Sequence, residues 1–224
     1  MSESYTLTLA FIDYFIVILS GIGLLFAAKT IYQRSNSAGQ TAFLGSLMIV
    51  TGGICGTTSK LLIAFNNSDY LFIGELLWLL QGAGFTLVFA ATLQWSLHAS
   101  HKAPKILPIL MAAIVLATSL WIKDSSPENQ VSFFILLGAS IIFFSGVIVV
   151  FIAYGIKQKL YLAASLLVIS LCTNVATQPS ASAFDLIINT PWLPYAINAV
   201  TQLFFASGMW LIYHADFNTK KMPR

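Results

Sequence analysis

The chain has 224 residues, of which 58% are hydrophobic and only 8% are charged, and its formal net charge is +3. A soluble domain carries roughly 25% charged residues, so this composition excludes an ordinary water-soluble protein. The sequence has no basic tract interleaved with aromatic residues, which argues against nucleic acid as a partner. We therefore expect an all-α, polytopic membrane protein whose main partner is the lipid bilayer.

The first residues include Glu3 and no Lys or Arg before the first apolar run. A secretory signal peptide needs a positively charged segment there, so we expect the first apolar segment to remain in the mature protein. Seven apolar runs follow, each close to the ~20 residues that cross a bilayer. They cover about residues 8–31, 41–65, 71–96, 104–122, 131–155, 158–178 and 192–214. Because only short polar connectors separate them, the sequence predicts a single transmembrane domain over residues 1–224.

The distribution of charge predicts an orientation. Nine of the eleven Lys and Arg fall on one side of the seven predicted spans, and seven of the eight Asp and Glu fall on or near the other side. Cytoplasmic connectors carry the excess of Lys and Arg. We therefore expect the N-terminus outside, the C-terminus in the cytoplasm, and a plasma or inner membrane as the location. Trp78, Trp121 and Trp192 near one interface, with Trp95 and Trp210 near the other, would form an anchoring aromatic belt.

Two stretches of the chain resemble each other. Residues 75–99 laid over residues 191–215 give seven identities in twenty-five, and both stretches end in the pair His–Ala. The second apolar run also lies over the sixth, with Gln40 over Gln158. The similarity is either a chance match between segments rich in Leu, Ala and Phe, or a parallel repeat of the kind found in transporters, with the substrate site between the halves. The half-repeats would be residues 8–96 and 131–214, joined by a linker helix over 104–122.

Three ionisable residues fall inside predicted spans, on the order of 6–9 Å from the same membrane boundary at 1.5 Å per residue. They are Asp13, Lys60 and Glu75. A lone ammonium in hydrocarbon costs at least ~2.5–3.5 kcal/mol, so we expect Lys60 to pair with Glu75, with Asp13 as the alternative or third member. The other interpretation is that Lys60 reaches the headgroups while both acids lie at wetted helix starts.

Uncharged polar side chains lie at a similar depth in the last two runs. The sixth run contains Asn174 and Gln178, with Ser170 on the same helical face, and the seventh contains Asn198 and Gln202 one turn apart. Because amides facing lipid are costly, these faces should point into the bundle, either as contacts between helices or around a polar solute. The predicted ligand-binding residues are therefore Asp13, Lys60, Glu75, Asn174, Gln178, Asn198 and Gln202.

No HExxH, GxSxG or P-loop motif occurs in the sequence, so we expect neither an enzyme nor a cofactor. His98, His101 and His214 fall at the edge of the apolar layer, where a solvated histidine is more typical than a zinc or haem ligand, and we expect no metal site. Gly52 and Gly56 form a GxxxG pattern, which favours close packing of helices.

The leading functional prediction is a transporter of a small polar or charged solute, with an outward-facing pocket formed by the residues above. The alternatives are a seven-helix membrane sensor or receptor, or an accessory subunit of a membrane complex, and a homo-oligomer is compatible with each. The arrangement of three, one and three spans with an outside N-terminus resembles the SWEET sugar transporters in topology alone. Asn198 lies over Gly82 between the two halves, not over a second Asn, and no family is assigned on this resemblance.

Overall fold

A computed structural model describes residues 7–66, 71–97, 106–125, 131–176 and 192–221. These residues form seven α-helices, and each helix overlaps one of the predicted apolar runs, so the all-helical prediction is confirmed. The helices are α1 (Leu7–Tyr32), α2 (Asn36–Asn66), α3 (Leu71–Ser96), α4 (Ile106–Ser125), α5 (Val131–Lys157), α6 (Tyr161–Ala176) and α7 (Leu193–Lys221).

Five of the described helices, namely α1, α2, α3, α5 and α7, are long and apolar enough to cross a membrane. The described part of α6 is a shorter apolar helix of 16 residues. Apolar side chains cover the outer faces as well as the inner ones. On α1, one exposed stripe at alternating spacings of four and three residues consists of Phe11, Phe15, Ile18, Ile22 and Leu25. A stripe of this kind is stable against lipid and not against water, as in an integral multi-pass membrane protein.

Six of the helices form a closed ring. Around the ring α1 contacts α2, α2 contacts α3, α3 contacts α5, α5 contacts α6, α6 contacts α7, and α7 returns to α1. The remaining helix, α4, packs against α3 and α5. The main buried cluster draws side chains from all six ring helices. Its large members include Leu24, Phe151 and Phe205 on α1, α5 and α7, together with Leu167 on α6, while most of the α2 members are alanines.

Glycines allow α2 and α3 to approach closely. A Cβ atom added to Gly45 would lie 2.6 Å from the carbonyl oxygen of Gly84, and one added to Gly84 would lie 2.7 Å from that of Gly45. A Cβ atom at Gly52 or Gly56 would come within 3.0 Å of Leu77 O or 2.7 Å of Leu77 Cδ2. The prediction that the GxxxG pattern serves helix packing is confirmed, and the partner helix is α3.

The two ends of the ring are named here by their charged residues. At the Asp13 end, α1 begins and α2 ends, since Asp13 and Lys60 are in contact. At the Arg34 end, α1, α5 and α7 all end, since Arg34, Tyr154 and Asp216 are in contact. A tight turn joins α5 to α6 there. Lys159 has a φ of 61°, and Leu160 N donates to Gly155 O at 2.8 Å, which is the helix-ending pattern that usually places glycine at this position.

The prediction that Trp95 belongs to an anchoring aromatic belt at the membrane interface is wrong. Its side chain is only 5% exposed, because it packs against Phe151 at 5.1 Å and Tyr154 at 4.9 Å between ring centroids. It therefore belongs to the interface between α3 and α5 and not to the lipid-facing surface. Trp121, Trp192 and Trp210 are exposed, as expected for tryptophans that anchor a protein at the membrane interface.

Candidate functional site

Lys60 is paired with an acid inside the bundle. Its Nζ lies 2.6 Å from Oδ2 of Asp13, whose side chain is only 12% exposed. The ring of Tyr195 on α7 lies 5.5 Å from the same nitrogen, within cation–π distance. Of the pairings that the sequence leaves open, the structure contains Lys60–Asp13. Glu75 lies in α3 but its side chain is outside the described residues, so the Lys60–Glu75 pair stays a prediction.

Close packing of α1 and α2 brings this pair together. A Cβ atom on Gly53 would lie 2.8 Å from Val17 Cγ2, so the two helices touch at this level. From this contact toward the Asp13 end, Asp13 lies one turn from Val17, about 6 Å along α1. In the same direction Lys60 lies two turns from Gly53, about 10 Å along α2. The flexible lysine side chain spans the difference in depth between the two residues. Nearby, Tyr14 OH and Thr58 Oγ1 are hydrogen-bonded at 2.9 Å, which holds the same two helices together.

A cavity of about 220 Å³, the central cavity, lies deeper in the ring than the ion pair. Its α1 lining residues begin at Ile16, three residues after Asp13. Each of the six ring helices contributes to the wall, and none of the described residues of α4 does. The volume is below the ~300–1,000 Å³ typical of sites for drug-sized ligands, so a small solute would fit. The polar side chains in the wall include Ser20, Gln81, Ser140, Asn174, Asn198 and Gln202.

The amides of the central cavity differ in how well they are satisfied. Asn174 Nδ2 donates to Ser145 Oγ at 3.2 Å, and Gln202 Nε2 donates to Asn198 Oδ1 at 3.5 Å, the limit for a hydrogen bond. Gln202 is 8% exposed, and its Oε1 accepts no hydrogen bond from the described residues. A buried carbonyl without a donor costs roughly 1–3 kcal/mol. This oxygen therefore favours a hydrogen-bond donor entering the cavity.

Hydroxyl groups between α6 and α7 set the positions of these amides. Ser170 Oγ donates to Thr201 O at 2.9 Å, and Thr201 Oγ1 donates to Thr173 Oγ1 at 2.8 Å. Asn174 follows Thr173, and Gln202 follows Thr201, so the contacts that join the helices also turn both amides toward the ring centre. Ser170 thus acts as a contact between helices, while the neighbouring amides line the cavity.

The structure divides the predicted site into two groups. Asn174, Asn198 and Gln202 all line the central cavity. Asp13 and Lys60 form the ion pair and do not line that cavity. Gln178 lies outside the described residues. The sequence reasoning missed the wall residues Ser20, Gln81 and Ser140; an amide such as Gln81 in the middle of an apolar helix is a usable signal, whereas single serines are too common in membrane helices to be one.

A second polar cluster, the Arg34 cluster, lies at the Arg34 end. Arg34 Nη2 donates a hydrogen bond to Tyr154 OH, which donates to Asp216 Oδ1 at 2.5 Å, and Nη2 lies 3.7 Å from the same carboxylate oxygen. The guanidinium carbon lies 4.8 Å from the Tyr154 ring centroid and 5.5 Å from that of Trp95. In the sequence Arg34 is only one of the nine basic residues on one side of the predicted spans, and neither Arg34 nor Asp216 was among the predicted site residues. The usable signal was that Asp216 is the lone acid on the basic side.

Buried aromatic side chains separate the central cavity from this cluster. Of the wall residues on α3 and α5, Phe85 and Phe144 lie nearest the Arg34 end of their helices, and their ring centroids are 5.2 Å apart. Phe205, one turn after Gln202, lies 5.1 Å from Phe144 in an edge-to-face arrangement. Phe205 is fully buried and Phe144 is nearly so. These three rings form an apolar layer on the Arg34 side of the cavity.

Among the described residues, no group of three or more His, Cys, Asp or Glu could hold a metal ion. His214 is exposed on α7 beside Trp210 and Phe26, and the other two histidines lie outside the described residues. No family model, curated protein or solved structure matches the chain. Function is therefore inferred from the central cavity, the ion pair and the Arg34 cluster.

Proposed function

We propose that this protein transports a small polar solute along the axis of the six-helix ring, with the central cavity as the solute site. One observation carries the proposal: Gln202 is nine-tenths buried, lines the cavity, and has a carbonyl oxygen that accepts no hydrogen bond from the described residues. An O–H or N–H group of a solute would satisfy it. Asn174 and Asn198 supply further donors and acceptors, so the site would bind and move a solute and not convert it.

The location of the cavity supports this proposal. Substrate sites in many transporters lie near the bilayer midplane, between two halves of the protein. The α1 residues in the cavity wall, from Ile16 to Ser20, lie near the middle of the helix Leu7–Tyr32. Because all six ring helices line the cavity, a solute there would contact both predicted halves at once.

The packing order of the ring is compatible with the predicted half-repeats. If α1, α2 and α3 are exchanged with α5, α6 and α7, the neighbours α1–α2 and α2–α3 become α5–α6 and α6–α7. The two contacts between the halves, α1–α7 and α3–α5, exchange with each other. Every neighbour pair in the ring therefore has a counterpart, which two parallel three-helix units with α4 as the linker require, although any ring of six helices in chain order has the same property. Rocking of one unit against the other would give alternating access.

In this proposal the Asp13 end is the open, outer side and the Arg34 end is the closed, cytoplasmic side. The aromatic layer of Phe85, Phe144 and Phe205 blocks the path below the cavity. The Arg34 cluster ties α1 of one half to α5 and α7 of the other, so it would have to open for release. At the outer side, Lys60 contacts Asp13 in its own half and Tyr195 in the other. A solute that enters from this side would pass Lys60 before it reaches the central cavity.

The test is uptake by reconstituted vesicles. The purified chain is placed in liposomes, and a panel of small uncharged and charged polar solutes is screened for uptake above that of empty liposomes. Gln202→Leu removes the unsatisfied oxygen and keeps the side chain's bulk. Loss of one neutral hydrogen bond, about 1 kcal/mol net, predicts roughly a fivefold lower kcat/KM. Gln40→Leu is the matched control, since Gln40 is exposed and lines neither cavity described here.

Three results would contradict the proposal. The first is that no solute is taken up and none raises the thermal stability of the protein, because a bound solute stabilises the folded form. The second is uptake that Gln202→Leu and Gln40→Leu affect equally. The third is a solute that stabilises the protein through Gln202 and is never transported, which would favour the sensor alternative over the transporter.

A further inference from the structure

A second cavity, the Trp95 cavity, lies at the Arg34 end of the ring. Its volume is about 380 Å³, and its wall is made by Arg34, by Trp95 and Ser96 at the end of α3, and by α5 residues between Val149 and Gln158. Within the described part of the chain it shares no lining residue with the central cavity. The proposed solute site does not use it, although Arg34 and Tyr154 in its wall belong to the Arg34 cluster, so it calls for an explanation of its own.

The wall of this cavity holds hydrogen-bond donors that lack acceptors. Both contacts of Arg34 in its cluster use Nη2, so Nε and Nη1 have no acceptor among the described residues. Trp95 is buried, and its Nε1–H likewise has no acceptor among the described residues. Lys157 is exposed and forms no ion pair within the described part of the chain. Asp216 is not part of this wall, and no acidic side chain among the described residues lines it. The cavity therefore favours an anion with several acceptor oxygens.

The other part of the wall is apolar and continues into the lipid-facing surface. Val149, Ala153 and Lys157 are spaced by four residues and lie on one face of α5. Val149 is 50% exposed, and Ala153 is exposed as well. From Lys157 this face runs about 12 Å toward the middle of the membrane at 1.5 Å per residue. A cationic end followed by an apolar face matches an amphiphile with an anionic headgroup, whereas a free phosphate would use only the cationic end.

We propose that the Trp95 cavity binds an anionic phospholipid. The guanidinium of Arg34 and the ammonium of Lys157 hold the phosphate, since arginine binds phosphate oxygens through paired N–H groups. The Trp95 N–H donates to a phosphate or glycerol-ester oxygen, and an acyl chain lies along Val149 and Ala153. The predicted orientation places this cavity in the cytoplasmic leaflet, where anionic lipids are concentrated. A lipid here would contact Arg34 and so stabilise the closed Arg34 cluster.

The test measures lipid binding directly and needs no transported solute. Phosphatidylglycerol or phosphatidylcholine is titrated into the detergent-solubilised protein at low ionic strength, with melting followed by fluorescence and bound lipid counted by native mass spectrometry. We expect phosphatidylglycerol, and not phosphatidylcholine, to bind at one site and raise the melting temperature. Lys157→Gln should weaken phosphatidylglycerol binding about fivefold, since a lysine near anionic lipid is worth about 1 kcal/mol. Trp95→Phe should weaken it as well, because the ring remains and the N–H is lost.

Lys29→Gln is the matched control. Lys29 lies at the same end on α1 but faces the Tyr213 ring at 5.8 Å and does not line the cavity, so its lipid affinity should equal that of the wild type. Equal binding of both lipids would overturn the proposal. Equal losses of phosphatidylglycerol affinity in Lys157→Gln and Lys29→Gln would overturn it as well. Stabilisation by inorganic phosphate as strong as that by phosphatidylglycerol would instead assign the cavity to a soluble anion. None of these results depends on Gln202, so a failure here is distinct from a failure of the transport proposal.

Discussion

The two ends of the ring both bury a carboxylate against a cation, but the two arrangements join different helices. At the Asp13 end, the pair lies between α1 and α2, which are neighbours in sequence and in space. At the Arg34 end, Arg34 after α1 reaches Tyr154 of α5 and Asp216 of α7, which are distant in sequence. The first contact fixes a local pair of helices. The second closes the ring, so it should matter more for stability of the whole bundle.

The largest expected effect is that of Arg34→Met, which keeps the aliphatic length and removes the charge. It leaves the buried carboxylate of Asp216 without its cation and removes the stacking on Tyr154 and Trp95. Breaking a fully buried pair costs ~3–5 kcal/mol, but the Arg34 side chain is 37% exposed, so we expect the free energy of unfolding to fall by about 2–3 kcal/mol. Unfolding in detergent mixed with SDS measures it.

The control for this variant is Lys29→Met at the same end. Lys29 lies over the Tyr213 ring and forms no ion pair with a described residue, so its loss should cost no more than about 1 kcal/mol. Equal losses in the two variants would mean that the Arg34 cluster contributes no more than an ordinary surface cation, and the contrast between the two ends would disappear.

The second-largest loss in the free energy of unfolding is expected at the Asp13 end. Lys60→Met should lower the free energy of unfolding by about 1–2 kcal/mol, because Asp13 then stays buried without its cation while a third of the Lys60 side chain is already exposed. In a double-mutant cycle with Asp13→Asn, most of that loss should be recovered, since the two residues interact directly. The matching cycle with Glu75→Gln tests the pairing predicted first from the sequence. A larger coupling to Glu75 than to Asp13 would contradict the observed pair.

The smallest of these effects is expected for Tyr154→Phe. The variant keeps the ring that packs on Trp95 and removes the hydroxyl between Arg34 and Asp216. Because the guanidinium nitrogen already lies 3.7 Å from the carboxylate, a small shift would let the two charges meet directly. We expect a loss of about 1 kcal/mol in the free energy of unfolding, as for one hydrogen bond. A loss as large as that of Arg34→Met would show that the phenol, and not the charge, holds the helices together.

The predicted spans agree with the helices because hydrophobic length is a local property. The first run was predicted at residues 8–31 and the helix is Leu7–Tyr32, and the third was predicted at 71–96 and the helix is Leu71–Ser96. The second was predicted to begin at 41, whereas α2 begins at Asn36. Residues 36–40 are polar and small, so hydropathy cannot distinguish them from a connector, although a polar turn can extend a helix beyond the lipid.

The site was only partly predictable because rotation about a helix axis does not follow from depth. Asp13 and Glu75 lie at the same predicted depth as Lys60, and which of them faces it depends on how α1, α2 and α3 pack. Asn174 and Gln202 were found because an amide facing lipid is costly on any helix. Trp95 was misassigned because the rule for interface tryptophans considers depth alone, and only the packing of α3 on α5 shows that its ring is covered.

The amino-acid sequence alone determined that this chain is a bundle of apolar helices in a membrane, where the segments lie, and which polar side chains must avoid lipid. Each of these follows from the cost of placing a group in hydrocarbon, which depends on that residue and its close neighbours in the chain. Tertiary structure decided that Asp13 pairs with Lys60, that the amides line one cavity, and that Arg34 meets Asp216. The polar contacts join residues that are far apart in the chain: Asp13 and Lys60 are 47 positions apart, Arg34 and Tyr154 are 120 apart, and Tyr154 and Asp216 are 62 apart. They form only when close packing at small residues has fixed the rotation of each helix relative to its neighbours.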